Sequence, residues 1–300
     1  MMKFGLQVSS FTFPGGAPEL AGHLERIVRT ADDVGFDSIW VMDHLFQIRG
    51  VGAVDEPMLE GWTALGFIGA HTKRARIGLM VGGIHYREPG IWVKAATTLD
   101  VLTGGRAWLG LGAAWNQEES EGLGFDFPPL GVRFEMLEET LQIAHAMFEG
   151  EQGTGKAFNG RLYHPTRLLN SPQSISRPRV PIMIGGGGEQ KTLRLVAQYG
   201  DATNVFGGPE KVHHKWQVLK AHCEAVGRPY DEIERSTLQG NLRVSRDGAG
   251  DTETPAQIID RFGELGDAGA QHILFSIKDV WRTETLELLG STLLPQLRNA

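Results

Sequence analysis

The chain is poor in several things, and each shortage narrows the reading. Cys223 stands alone among 300 residues, so no intrachain disulfide can form. No apolar run reaches 18 residues, so the sequence predicts no membrane span. Basic runs are short and the formal net charge is −7, which argues against nucleic-acid and membrane-surface partners. The serine elbow of esterases, the paired histidines of metalloproteases and any cysteine metal motif are all missing. No metal is therefore expected, and the adjacent His213 and His214 read as surface residues of a helix. An apolar strand begins by Lys3, leaving no room for a signal peptide, so a cytoplasmic protein is expected.

Glycine is abundant, at 40 of 300 residues, against an average share of about 7%. The densest cluster organises the whole chain. Ile182, Met183 and Ile184 form a short apolar run, Gly185, Gly186, Gly187 and Gly188 end it, and Glu189 to Tyr199 then has helical spacing. A plain strand-to-helix turn needs one glycine and seldom four. Backbone N–H groups without Cβ cover, next to the positive end of a helix, bind phosphate. The spacing is neither that of a dinucleotide fingerprint nor of a Walker loop.

Apolar strand-like runs and amphipathic helical segments alternate along the chain. The strands read near Lys3–Ser9, Asp37–Met42, Arg76–Val81, Arg106–Leu111, Ile182–Ile184, Ala202–Phe206, Arg235–Val244 and Ile273–Ile277. Right-handed crossovers make such strands parallel, and eight of them close into a (β/α)₈ barrel. An open doubly wound sheet is the competing topology. Residues 150–180 break the rhythm and read as an insertion between the fourth helix and fifth strand, with a small hairpin near Phe158 to Leu169. One domain is expected over 1–300.

Barrel active sites lie at the C-terminal strand ends. Those ends deliver Asp43 and His44, then Gly82, Gly83, His85, Tyr86 and Arg87, then Trp115, Asn116 and Glu118, the four glycines, and Asn204. The seventh and eighth strands look thin, with Arg282 as the one charged candidate for an anionic substrate. Trp62, Tyr86 and Trp115 suggest an aromatic rim. A phosphate cradle, a histidine and aromatics suit a bound organic cofactor that carries the hard chemistry. His44 reads as a general base or as a strand-end cap, Asp43 as its orienter or as a buried anchor, and Trp115 as a cofactor wall or a core aromatic. Asn116 could cap a helix or touch cofactor. His85 and Tyr86 read as a solvated loop, and Glu118, Glu119 and Glu121 as a solvated helix face.

Four segments carry a family resemblance: Ser38–His44 (SIWVMDH), Arg76–Pro89, Lys94–Glu119 and Pro181–Phe206. They resemble the luciferase-like monooxygenase superfamily, and within it the oxidoreductases that use the deazaflavin coenzyme F420. The resemblance implies a barrel with an insertion and a homodimer. It implies a tricyclic cofactor at the barrel mouth, held by Met80, Val81, Gly82, Trp115, Asn116 and Asn204, with its phosphate on Gly185 to Gly188. A non-proline cis peptide is implied at Met80–Val81. Asp43 and His44 become the catalytic candidates, and the substrate a small molecule that exchanges hydride with the cofactor. An FMN-dependent monooxygenase and a non-catalytic cofactor-binding paralogue are the alternatives. One departure stands out: where some deazaflavin dehydrogenases place an acidic residue after the fourth strand, this chain places Trp115.

Overall fold

The computed structural model describes residues 2–298. Parallel strands β1 (Lys3–Val8), β2 (Ser38–Val41), β3 (Arg76–Leu79), β5 (Ala107–Gly112), β6 (Ile182–Gly185), β7 (Ala202–Val205), β8 (Glu234–Leu242) and β9 (His272–Ile277) form the barrel. The two-residue β4 (Gly82–Gly83) continues β3. Each strand pairs with the next, β1 pairs with β9, and β3 pairs with β5, which closes the sheet and removes the open topology. Strands buried on both faces need no polar alternation. Ile39, Trp40 and Val41, and likewise Leu109 and Leu111, are therefore shielded whichever way they point.

The helices follow the expected stops and starts. Helix α1 (Ala17–Val34) buries Leu24, Ile27, Val28 and Ala31, and ends at Gly35, whose φ of 98° lets its N–H return to the last turn. Helix α8 (Pro255–Asp267) opens with a full capping box between Thr254 and Gln257. Helices α2 (Gly61–His71), α3 (Pro89–Leu102), α5 (Leu130–Phe148), α6 (Thr192–Tyr199), α7 (Pro209–Val226) and α9 (Glu284–Arg298) complete the outer ring. Among the described residues no helix is long and apolar enough to cross a membrane.

Three features differ from the sequence reading. The stretch with Glu118, Glu119 and Glu121 forms a short helix of its own, α4 (Gln117–Gly122), ahead of α5, where the strand–helix alternation gave a single helix. Helix α6 starts at Thr192, after a turn at Glu189–Lys191, because the carbonyl of Gly188 accepts from Leu193 and holds the chain back. The insertion between α5 and β6 doubles back through Leu168 N–H to Lys156, Phe158 N–H to Pro165 and Gly160 N–H to Tyr163. It folds as a hairpin-like excursion without regular strands.

Inside the barrel Trp40, Trp108, Met183, Ala202 and Leu274 pack together, with Met80 above them. Gly78 leaves the room, since a Cβ there would stand 2.8 Å from both tryptophans. The barrel floor is polar. Trp40 donates to Ser38 Oγ at 2.6 Å, Ser38 meets His272 Nε2 at 2.9 Å, and His272 Nδ1 meets Glu234 at 2.7 Å. Ser38 is 1% exposed, so this chain of bonds fastens strand starts rather than facing a substrate.

Candidate functional site

At the opposite, C-terminal end of the strands lies a cavity of about 630 Å³, within the range of small-molecule sites. Its first wall comes from β2 and β3. Register fixes the local geometry: Gly78 faces Trp108, yet Gly82 faces Leu111. Four steps on one strand thus match three on the other, and the extra residue is a bulge. Gly110 permits it, because a Cβ there would stand 2.0 Å from the Leu79 carbonyl oxygen. The Met80–Val81 peptide in this bulge is cis, as the resemblance implied, and Met80, Val81 and Gly82 line the cavity.

Asp43 is buried beside this wall. It accepts two hydrogen bonds of 2.8 Å from Arg87 and one of 3.0 Å from Gly83 N–H. A bidentate partner neutralises the buried carboxylate, and the N–H bond ties the glycine segment to β2. Arg87 reaches on to Glu60 at 2.6 Å.

His44, the next residue, turns its Nδ1 to Glu119 Oε1 at 2.5 Å. The other carboxylate oxygen of Glu119 accepts from the backbone N–H groups of Leu45 at 2.7 Å and Phe46 at 3.1 Å. The side chain of Glu119 is fully buried. Burial pushes its pKa up, but the bonds from His44, Tyr86 and Phe46 outweigh that and hold it below the ordinary carboxylate value. The expectation of a solvated Glu119 is thereby overturned. Helix α4 sets it inward while Glu118 stays outside. Nothing in the local sequence marks which of two adjacent glutamates turns in; that depends on where α4 sits.

Tyr86 and His85 also depart from a solvated loop. Tyr86 lines the cavity, and burial followed by its bond to Glu119 drives its phenol pKa upward. His85 Nε2 meets Ser120 Oγ at 2.8 Å. Burial, then the charge of Arg133, pushes its pKa down to about 4. The aromatic rim is partly reassigned. Trp115 is 62% exposed at the mouth, edge-on to His44 with ring centres 5.4 Å apart, so it is not a core residue. Trp62 instead packs on Trp92 outside the cavity. Asn116 stands at the start of α4 and lines the cavity without capping the helix through its side chain.

The second wall is the glycine run, with all of Gly185 to Gly188 on the cavity surface. Gly186 has φ 120° and donates its N–H to the Asn204 carbonyl at 3.0 Å. Asn204 is buried and spends its side chain on Ser236 at 2.9 Å, so it braces the loop. A Cβ on Gly188 would come within 2.9 Å of Thr192 Oγ1, whereas one on Gly187 would find only Lys215 Cε at 3.7 Å. Lys215, from α7, was missed in the sequence because its helix follows the next strand. Its ammonium pairs with Glu189 at 2.6 Å. Arg194 of α6 is held by Glu138 at 3.1 Å.

The strands that looked thin supply the remaining flank. Gln239 and Asn241 from β8 and Ser276 from β9 line the cavity with Gln7 and Ser9 from β1. Arg282 lies over the Trp281 ring, 4.7 Å from its centre, and is not among the lining residues. The site so built combines an uncovered glycine backbone at one end, a histidine–carboxylate pair at the other, and an apolar bulge between them.

Known proteins share this plan. The chain is 31% identical over 253 residues to an F420-dependent glucose-6-phosphate dehydrogenase of Nakamurella multipartita, covering 82% of this chain and 68% of that one. It is 28% identical over 226 residues to 4-hydroxyprotoasukamycin monooxygenase of Streptomyces nodosus subsp. asukaensis, covering 73% and 58%. The fold superposes with a TM-score of 0.82 on an F420-dependent secondary alcohol dehydrogenase in complex with an F420–acetone adduct, at 17% identity, covering 97% of this chain and 98% of that one. The luciferase-like monooxygenase model matches residues 2–249, and with a match over most of its length the chain belongs to the luciferase-like monooxygenase family.

Proposed function

We propose that the protein is an oxidoreductase that moves hydride between coenzyme F420 and a small organic substrate. One observation carries the reading: the His44–Glu119 pair and the uncovered glycine backbone open onto the same cavity. The residues fit the cofactor. Gly185 to Gly188 leave space for a phosphate where side chains would intrude, with Lys215 behind them. Met80, Val81, Gly82, Trp115 and Asn116 would hold the ring system, and Asn204 fixes the cradle.

When bound, F420 supplies the carbon that accepts or gives hydride. The protein supplies the proton path. Glu119 is held ionised and can only accept. The proton on neutral His44 therefore resides on Nδ1, and Nε2 is left as a base. As hydride leaves a carbinol carbon, Nε2 takes the hydroxyl proton and the carbonyl forms; the reverse step returns the proton. Glu119 then faces an imidazolium across 2.5 Å, which stabilises the charge that develops. Asp43, already engaged by Arg87, acts by positioning Gly83 and the end of β2.

We also infer a cytoplasmic homodimer. Helix α2 carries no charged residue before its terminal His71, and Ile91 and Leu102 of the adjoining α3 are 57% and 79% exposed. An apolar face of that kind calls for a partner. A single buried cysteine suits a reducing compartment.

The test is titration of the apoprotein with F420 and with FMN, followed by fluorescence, then reduction of bound F420 by a panel of alcohols. Binding of F420 and its reduction are expected. Binding of FMN alone would overturn the reading in favour of oxygen chemistry.

A further inference from the structure

We infer that the substrate is an uncharged small alcohol or carbonyl compound, and that the site excludes phosphorylated and carboxylated ones. This rests on the hydride-transfer reading above and adds the substrate class. Among the described residues that line the cavity there is no lysine and no arginine. Recognition of a phosphate or carboxylate outside a backbone cradle draws on such cations, arginine above all. The one backbone cradle present is assigned to the cofactor.

The cavity's own charge points the same way. Two acidic residues line it. Arg87 neutralises Asp43. Glu119 is held ionised by hydrogen bonds from His44, Tyr86 and the Leu45 and Phe46 N–H groups, and among the described residues no lysine or arginine pairs with it. An anionic substrate next to His44 would meet that carboxylate without compensation. The flank from β1, β8 and β9 instead offers neutral groups. Among the described residues the hydroxyls of Ser9 and Ser276 and the amide of Asn241 have no side-chain hydrogen-bond partner, and they border the cavity beside Ile48, Val51 and Leu238. Such groups recognise a hydroxyl or carbonyl on an otherwise apolar body.

The nearest cations beyond this flank do not reverse the sign. Arg243 and Lys278 lie in an adjoining cleft together with Glu56 and Asp279, two of each charge. Arg243 is also paired with Asp251 at 2.7 Å. The substrate class inferred here thus differs from the one named for its glucose-6-phosphate dehydrogenase relatives.

The experiment first measures F420 binding by fluorescence; failure there removes the hydride-transfer reading itself. With F420 bound, butan-2-ol and 3-hydroxybutyrate are compared, two secondary alcohols that differ by a carboxylate, with glucose-6-phosphate as a third ligand. Melting-temperature shift and single-turnover reduction of F420 are read for each. The neutral alcohol is expected to lead by about a hundredfold in kcat/KM, the scale of discrimination from an uncompensated charge. Equal or better turnover of either anion, or no response to butan-2-ol, would overturn the inference. Asn241→Arg, at an exposed lining position, and Ser276→Lys each add a cation. Either is expected to narrow the gap by raising the affinity for 3-hydroxybutyrate. A gap unmoved in a folded variant would overturn the electrostatic account.

Discussion

Glu119→Gln isolates the proton path. In the native site the carboxylate accepts from His44 Nδ1 at 2.5 Å and from the N–H groups of Leu45 and Phe46. Glutamine keeps one carbonyl oxygen, which the two backbone N–H groups will claim. Its amide then points donors at His44 Nδ1. Two donors cannot face each other, so the proton moves to Nε2 and the base is lost at its working position. Hydride transfer should fall by about 10²–10⁴-fold, the range for removing a general base or fixing the wrong histidine tautomer. Stability should change less. Two hydrogen bonds lose charge assistance, about 1 kcal/mol each, and the lower cost of burying a neutral amide offsets part of that. A melting-temperature drop of a few degrees is expected. Affinity for F420 should hold, because the glycine wall lies across the cavity. The assay is single-turnover reduction of bound F420 beside a fluorescence titration on the same preparation. A folded, F420-binding variant that transfers hydride within about threefold of the parent would refute the assignment of Glu119 and, with it, the tautomer argument.

His44→Ala should lose about 10²–10⁴-fold in kcat with little change in F420 affinity; near-normal turnover with a lowered melting temperature would make His44 a structural cap. Gly187→Val should weaken F420 binding while melting almost unchanged, since its Cβ meets only Lys215 at 3.7 Å, whereas Gly186→Val should destabilise because φ there is 120°. Equal F420 affinity in Gly187→Val would remove the phosphate assignment. His85 has its pKa depressed to about 4, so the unfolded chain binds the extra proton between there and about 6.5. The stability His85 contributes is therefore complete above that window and declines as pH falls through it; His85→Leu should flatten this limb of a melting-temperature titration. Leu102→Glu combined with Ile91→Glu should shift the sedimentation mass from twice 32.9 kDa to a single chain; a parent that is already monomeric at every concentration contradicts the dimer.

Local pattern was enough to read the barrel. Eight short apolar runs alternate with amphipathic helices, and both periodicities belong to the sequence itself, as does the capping pair at Thr254 and Gln257. The glycine run at 185–188 announced its own use, because four residues without side chains have few structural reasons to be adjacent. His44 was legible for a similar reason: it follows a buried strand whose C-terminal end must open on the barrel mouth.

Glu119 could not be found that way. It lies 75 residues beyond His44, beside another glutamate of identical local character, and only the seating of α4 against the His44–Phe46 loop after β2 sends one inward and leaves the other in water. Asp43 likewise read equally as the orienter of His44 and as a buried anchor until Arg87 was brought onto it from beyond the bulge. The sequence by itself determined which segments become strands, helices and an uncovered phosphate cradle, because those depend on periodicity and on the steric freedom of glycine. Tertiary structure alone decided which charges meet: the pairing of Asp43 with Arg87, the hydrogen bonds that hold Glu119 ionised and, among the described residues, the lack of lysine and arginine in the cavity lining come from residues distant in sequence that closure of the barrel makes neighbours.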